Sequence, residues 1–193
     1  MEEKTKCITV YCASSVTVDD IYFDAARQLG LEIGRRGVTL VTGAGSMGLM
    51  GAINDAAISA GGHTIGVIPE FMVQRGWNHK RLGGLIVTDS MHTRKEKMAA
   101  MADGVIALPG GIGTFEELLE IITWRQLGLY DGNIVIFNVG GYYDDLLRML
   151  DKAIEQKFMK PDHKGIWTVV NTASDAVDAA LSQHDTNKFS AKF

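Results

Sequence analysis

The residues best placed to do chemistry lie in Pro109-Gly110-Gly111-Ile112-Gly113-Thr114-Phe115-Glu116-Glu117. The apolar run Gly104 to Leu108 before it reads as a buried strand, and a helical pattern opens straight after it. A strand, a glycine-rich turn and a helix start make an anion site, because the free N–H groups of the first turn point outward and the helix dipole favours negative charge. Gly110, Gly111 and Gly113 let the backbone approach an anion without Cβ atoms in the way, and Thr114 adds a hydroxyl. Glu117 lies one turn further on, roughly 5 Å along the axis. That is about the separation of a sugar 5′-phosphate from the anomeric carbon, so the carboxylate could act on the sugar. It could equally do no more than stabilise the helix N-terminus. Spacing alone leaves both readings open.

A second helical segment runs from Met91, after Asp89 and Ser90, which offer N-cap oxygens. Met91, Met98 and Met101 or Ala102 mark the face expected to pack on a sheet, and Arg94 and Lys95 fall on that face. Cations in a core stripe either extend their heads to solvent or face a cavity that holds an anion. With an anion loop nearby, Arg94 reads as a site residue; for Lys95 the two readings stay open. Glu96 and Lys97 read as solvated charge.

Gly43-Ala44-Gly45-Ser46-Met47-Gly48 is a literal G-x-G-x-x-G between a strand and a helix, and Glu70 stands where a ribose-binding acid would be expected. An NAD(P)-dependent oxidoreductase is therefore the competing reading. Against it, the loop follows the second strand rather than the first, the loop at Pro109 is a better anion site, and no substrate domain remains. A non-catalytic nucleotide-binding protein is a third reading, which leaves a carboxylate beside the sugar without a purpose.

Pro-Gly-Gly-x-Gly-Thr-x-x-Glu at 109–117 resembles the signature of the Lonely Guy family, cytokinin riboside 5′-monophosphate phosphoribohydrolases long labelled lysine decarboxylases. Met91-His92-Thr93-Arg94-Lys95 is similar to that family's Met-His-x-Arg-Lys, and Gly43 to Gly51 to its first glycine loop, with Ala44 where the family often has glycine. Ile122-Thr123-Trp124 and Gly140-Gly141-Tyr142-Tyr143 also fit, and the likeness runs over roughly residues 7 to 170. It implies Arg94 and Glu117 as the catalytic pair. It implies substrate contacts from Gly45, Ser46, Met91, Lys95, Gly110, Gly111, Ile112, Gly113, Thr114, Glu116 and Thr123, and a homodimer or larger assembly. The implied reaction is hydrolysis of the N-glycosidic bond of a nucleoside 5′-monophosphate, with no metal or organic cofactor. A lysine decarboxylase would need pyridoxal phosphate on a Schiff-base lysine, which no motif here identifies.

Elements must position these residues. Strand-like runs near 7–12, 38–42, 64–68, 84–88, 103–108, 133–138 and 166–170 alternate with helical patterns near 19–35, 47–60, 91–102, 114–127, 142–157 and 173–183. Such alternation predicts an α/β fold, a Rossmann-like, doubly wound parallel sheet of about seven strands with helices on both faces. Residues 1–183 read as one nucleotide-binding domain and 184–193 as a polar tail. The loops after the first, second and fifth strands are expected to converge on one crevice at the carboxyl ends of the strands.

In the helix after Pro109, Phe115, Leu118, Leu119, Ile122 and Gln126 are assigned to the sheet. A second stripe through Ile121, Trp124 and the Leu127-Leu129-Tyr130 end is assigned to a homodimer contact. Ser14 and Ser15 are read as capping a helix near Val18, and Pro69 to Gly83, with Phe71, Met72, Trp77 and His79, as a base-pocket lining without a readable pattern.

A net charge of −4 argues against non-specific nucleic-acid binding. No apolar run approaches the ~20 residues of a membrane span, and Met1-Glu2-Glu3-Lys4 is too polar for a signal peptide. Cys7 and Cys12 fall on opposite faces of one strand, which argues against a disulfide and for buried free thiols in a reducing cytoplasm. His63, His79, His92, His163 and His184 show no metal-ligand spacing.

Overall fold

A computed structural model describes residues 5–183; the N-terminal Met1 to Lys4 and the tail from His184 lie outside the described residues. Seven strands, β1 (Cys7–Tyr11), β2 (Thr39–Thr42), β3 (Thr64–Pro69), β4 (Gly84–Thr88), β5 (Gly104–Ala107), β6 (Asn133–Phe137) and β7 (Trp167–Val170), form one sheet in the order β4-β3-β2-β1-β5-β6-β7. Every pairing is parallel. Ile8, Val10, Leu40, Ile106 and Val135 point into one apolar cluster, while Val41, Val67, Val105, Ile134 and Ile136 point into the other. Both faces of the five inner strands are covered, which is why those strands read as apolar runs, while the edge strands β4 and β7 keep exposed positions such as Val87 and Val169.

The first cluster is closed by α1 (Asp20–Arg35), α2 (Gly48–Ser59) and α7 (Ala173–Leu181). The second is closed by α4 (Met91–Met101), α5 (Ile112–Gln126) and α6 (Asp144–Glu155). The chain winds outward from β1 in one direction and from β5 in the other, and the two strands lie side by side, with Tyr11 opposite Ala107. Ligands of doubly wound sheets bind beyond the carboxyl ends of the strands at such a switch point. The three glycine- and serine-rich loops meet there as expected. The Ala13 amide donates to the Pro109 carbonyl at 3.2 Å, and the Ala13 carbonyl accepts from the Met50 amide at 3.2 Å.

Several expectations are corrected. A short helix, α3 (Glu70–Gln74), occupies the segment that carried no readable pattern. Ser14 and Ser15 do not cap α1, which begins at Asp20; the Ser15 hydroxyl instead lies 3.3 Å from that of Thr17. The helix 142–157 starts only at Asp144, because Gly140 and Gly141 (φ +60° and +75°) first turn the chain through a 3-10 element. Cys7 is only partly buried, while Cys12 is buried, and no disulfide joins them. None of the described helices is long and apolar enough to cross a membrane.

Candidate active site

The site grows from the start of α5. Gly111 is its N-cap, extended and without a side-chain cap, so the first-turn amides have no acceptor within the helix. Gly111, Ile112 and Gly113 are exposed to the crevice. Gly110 is a glycine for a steric reason: a Cβ there would stand 2.1 Å from Thr114 Oγ1. Thr114 is correspondingly buried, folded against Gly110 rather than standing free at the rim.

Two tyrosines after β6 hold this turn from behind. Tyr142 donates its hydroxyl to the Gly110 carbonyl and Tyr143 donates to the Leu108 carbonyl at 2.7 Å. The Tyr142 ring stacks on Phe115 at 6.2 Å. Gly-Gly-Tyr-Tyr was visible in the sequence, but not its task of fixing carbonyls on either side of Pro109.

One turn into α5, Glu117 is 9% exposed and accepts from Arg94 Nη1 at 2.9 Å. Arg94 (6% exposed) also donates through Nε to the Val67 carbonyl at 3.1 Å, and its Nη2 lies directly over Gly43. β3, the loop after β2 and α5 therefore fix one guanidinium, and α4 delivers it. Ser90 caps α4 by accepting from the Thr93 amide at 3.1 Å, and Asp89 accepts from the Thr93 hydroxyl. The expected α4 face holds for Arg94, Lys95 and Met98. Met91 is the exception: at the first position of the helix it is exposed.

Burial pushes the Glu117 carboxyl above its ordinary value; Arg94 and Lys95 pull it back, and Glu116 pushes it further up. Behind the pair, burial raises the Tyr11 phenol and the Cys12 thiol, and the Glu117 charge adds to both, so each stays protonated.

Lys95 is buried and bonded to two carboxylates of α5, those of Glu116 and of Glu120, the latter at 3.1 Å. Burial alone would lower its pKa, but the two carboxylates outweigh that and raise it. A Schiff-base lysine needs the opposite arrangement.

The structure does not bring every expected residue to this point. Thr123 lies on the exposed face of α5, its hydroxyl bonded to the Leu119 carbonyl at 2.8 Å, beside an open cavity of about 620 Å³ lined by Ile112, Phe115, Leu119 and Trp124. Gly45 and Ser46 pair with the segment after α3, since the Ser46 amide and hydroxyl both donate to the Trp77 carbonyl. The Gly45 amide meets Met50 Sδ at 2.9 Å and the Ala44 amide meets Thr42 Oγ1 at 3.3 Å. The Ala44, Gly45 and Ser46 amides are thus engaged within the chain, while the start of α2 has no side-chain cap. Ala44 holds φ +62°, a conformation glycine adopts without strain. His79, assigned to the base pocket, is buried, 2.9 Å from Asp55 and with its amide on the Ala44 carbonyl, so it supports the loop. Among the described residues no group of three or more side chains could hold a metal ion.

A parallel doubly wound sheet with an uncapped helix start at its switch point and a buried Arg–Glu pair one turn away defines a nucleotide-type α/β protein. Comparison with known proteins makes the assignment specific. Residues 50–180 match a family model described as possible lysine decarboxylase. The chain is 45% identical over 177 residues to cytokinin riboside 5′-monophosphate phosphoribohydrolase LOG1 of Arabidopsis thaliana, covering 92% of this chain and 83% of that protein. It is 43% identical over 176 residues to the LOG3 protein of that plant, covering 91% and 82%. The molybdenum cofactor carrier protein of Chlamydomonas reinhardtii shares the fold at a TM-score of 0.71 and 22% identity, over 91% of this chain and 96% of that one. The chain belongs to the Lonely Guy family of phosphoribohydrolases.

Proposed function

We propose that this chain hydrolyses the N-glycosidic bond of a purine riboside 5′-monophosphate, of cytokinin or adenosine type, giving free base and ribose 5-phosphate. The observation that carries the reading is the Arg94–Glu117 pair, 2.9 Å apart and one turn beyond the open amides of α5. The phosphate sits on the amides at Gly111 to Thr114, which places the anomeric carbon near the Glu117 carboxylate. Departure of the base builds oxocarbenium character on the sugar. The buried carboxylate stabilises that charge or activates the water that adds to the anomeric carbon, and the base leaves with a proton. Arg94 keeps Glu117 ionised and oriented.

The working form is a homodimer or larger assembly built on the exposed face of α5, where Thr123 and the open cavity lie. The chain works in the cytoplasm on a small nucleotide rather than on nucleic acid, with Cys7 and Cys12 as reduced thiols. Incubation with a panel of nucleosides and their 5′-monophosphates, scored for free base and ribose 5-phosphate by chromatography, tests the reading. Turnover of monophosphates alone is expected. Equal rates on nucleosides remove the phosphate from the mechanism, and no turnover of any member overturns the proposal.

A further inference from the structure

Among the described residues, Ala44 and Lys157 are the non-glycine residues with a positive φ. An L side chain in the left-handed region is strained and persists only where its surroundings over-determine it. Ala44 is fully buried, and both of its backbone polar groups are held. Its carbonyl accepts from the His79 amide at 2.7 Å, and its amide donates to the Thr42 hydroxyl oxygen at 3.3 Å. Its methyl lies against β3 where Gly66 leaves room, since a Cβ on Gly66 would stand 2.4 Å from it. The two holds lead back to neighbouring residues of α2. Thr42 donates its hydroxyl to Asn54 Oδ1 at 3.2 Å, and His79 Nε2 lies 2.9 Å from an Asp55 carboxylate oxygen.

Gly43, between Thr42 and Ala44, is the residue over which Nη2 of Arg94 lies. We propose that Thr42 is a positioning residue for the hydrolysis. Its hydroxyl, oriented by Asn54, holds Ala44 in the left-handed conformation and so keeps Gly43 under the guanidinium that faces Glu117. The inference rests on the hydrolase reading. Thr42 and Asn54 are both fully buried, so neither can meet a ligand in the crevice, and their effect passes through the loop. Asn54 Nδ2 has no partner among the described residues; the group of this side chain that is used is the one facing Thr42. A threonine that only packed β2 against α2 would lower the melting temperature when changed and leave turnover per folded molecule alone.

Thr42→Val keeps the shape and deletes the hydroxyl, whereas Thr42→Ser keeps the hydroxyl. Both are compared with wild type for kcat and KM, per folded molecule, on a purine riboside 5′-monophosphate. The isotope-labelled Nε–H resonance of Arg94, identified as the one missing from Arg94→Lys, is read alongside. That proton is donated to the Val67 carbonyl, so it reports the place of the guanidinium without substrate. Thr42→Val is expected to lose about tenfold in kcat with KM within about twofold, because the α5 amides are untouched while the pair is misaligned. Its Nε–H resonance should move. Thr42→Ser should stay within about threefold of wild-type kcat and keep the resonance in place. In an Ala44→Gly background the left-handed conformation is unstrained, so Thr42→Val should there cost less than about threefold. Wild-type kcat in Thr42→Val, equal impairment of Thr42→Ser, or an equal loss in the Ala44→Gly background each overturns the proposal. Should Thr42→Val not fold, Asn54→Leu removes the acceptor that orients the hydroxyl and should lower kcat by about threefold; wild-type kcat then overturns it. If wild type turns over no nucleotide, the hydrolase reading fails, and the resonance alone decides the positioning: an unmoved signal in Thr42→Val ends it.

Discussion

A Cβ placed on Gly43 would stand 1.8 Å from Nη2 of Arg94, so the guanidinium fills the space that any larger residue at position 43 would take. The first glycine of the G-x-G-x-x-G is thus a seat for the Arg94 guanidinium. The obstructing atom is the far end of a flexible side chain, and Gly43 is not among the residues with positive φ. Gly43→Ala should therefore displace the Arg94 head and break its alignment with Glu117, at some cost in stability because the buried pair is disturbed. A fall in kcat of at least about 10²-fold per folded molecule is expected, the range for a displaced catalytic group. Near wild-type kcat in a folded Gly43→Ala protein would remove this role.

The pair itself gives the second prediction. Glu117→Gln keeps the size and an acceptor for Arg94 while deleting the charge, and Arg94→Ala deletes the partner. Each should lose at least about 10²-fold in turnover. Arg94→Ala also leaves a buried carboxylate unpaired, a change that costs about 3–5 kcal/mol in comparable cases, so its rate is compared per folded molecule by circular dichroism. Wild-type turnover in either variant would end the mechanism.

The acidity of Glu117 makes the third. Its folded pKa lies above the ordinary carboxylate value because burial outweighs the pull of Arg94 and Lys95, with Glu116 adding to burial and neutral Tyr11 and Cys12 behind it. The folded state holds this proton more tightly than the unfolded one. Its contribution to stability is therefore fully present below the unfolded value, about 4.3, and is lost as pH rises through the folded value. Activity should move the other way, appearing as the carboxylate ionises. Denaturant unfolding across this window should show a fall in stability with pH that Glu117→Gln abolishes; identical slopes in both proteins would contradict the assignment.

Much of this was legible because both sheet faces are covered. Ile8, Val10, Val105 and Ile106 could only read as strands once each was apolar regardless of parity, and all seven strands fall where those runs lie. Arg94 and Lys95 were legible as cations on a buried face. Their partners were not, because Glu116, Glu117 and Glu120 lie on another helix and nothing local links the two. Gly43 looked like a cofactor glycine because sequence gives the freedom of a glycine, not the side chain that fills its space. On α5 the stripes were misassigned: Ile121 and Tyr130 are buried, while Leu119 is exposed. Apolar content marked both stripes alike, and only docking on the sheet selected Leu118, Ile121 and Ile122 as the inner one.

The tyrosines behind the phosphate turn give a paired prediction. Tyr142 is partly exposed, so in Tyr142→Phe water can satisfy the Gly110 carbonyl, and the loss is a less rigid anion turn. A rise in KM of about fivefold with little change in kcat is expected, from a hydrogen bond worth roughly 1 kcal/mol. Tyr143 is fully buried, so Tyr143→Phe strands the Leu108 carbonyl at a cost of about 1–3 kcal/mol. That variant should melt several degrees lower. Steady-state kinetics and thermal unfolding separate the two, and a reversed pattern would refute the division of labour.

The outer face of α5 supplies the last prediction. Ile112 is 81% exposed and Leu119 40%, and with Phe115 and Trp124 they line the open cavity, whose polar side is Glu116, Glu120 and Thr123. Exposed apolar residues gathered in this way and rimmed by polar ones usually mark an interface. The surface begins at Ile112, in the first turn of α5, and runs down the same helix that carries Glu117, so whatever covers it also steadies the Glu117 carboxylate. A second copy of the chain is the expected cover. Wild type should sediment at twice the 21.0 kDa chain mass at micromolar concentration. Leu119→Glu places a charge in the surface without touching the inner stripe of Leu118, Ile121 and Ile122, whereas Trp124 is partly buried against that stripe. Leu119→Glu should shift the protein toward monomer, and turnover should fall along with the dimer fraction. Leu118→Glu is the contrasting variant: it strikes the core and should unfold the chain rather than dissociate it. A wild-type protein that sediments as a monomer at micromolar concentration would leave this face without its partner and end the dimer proposal.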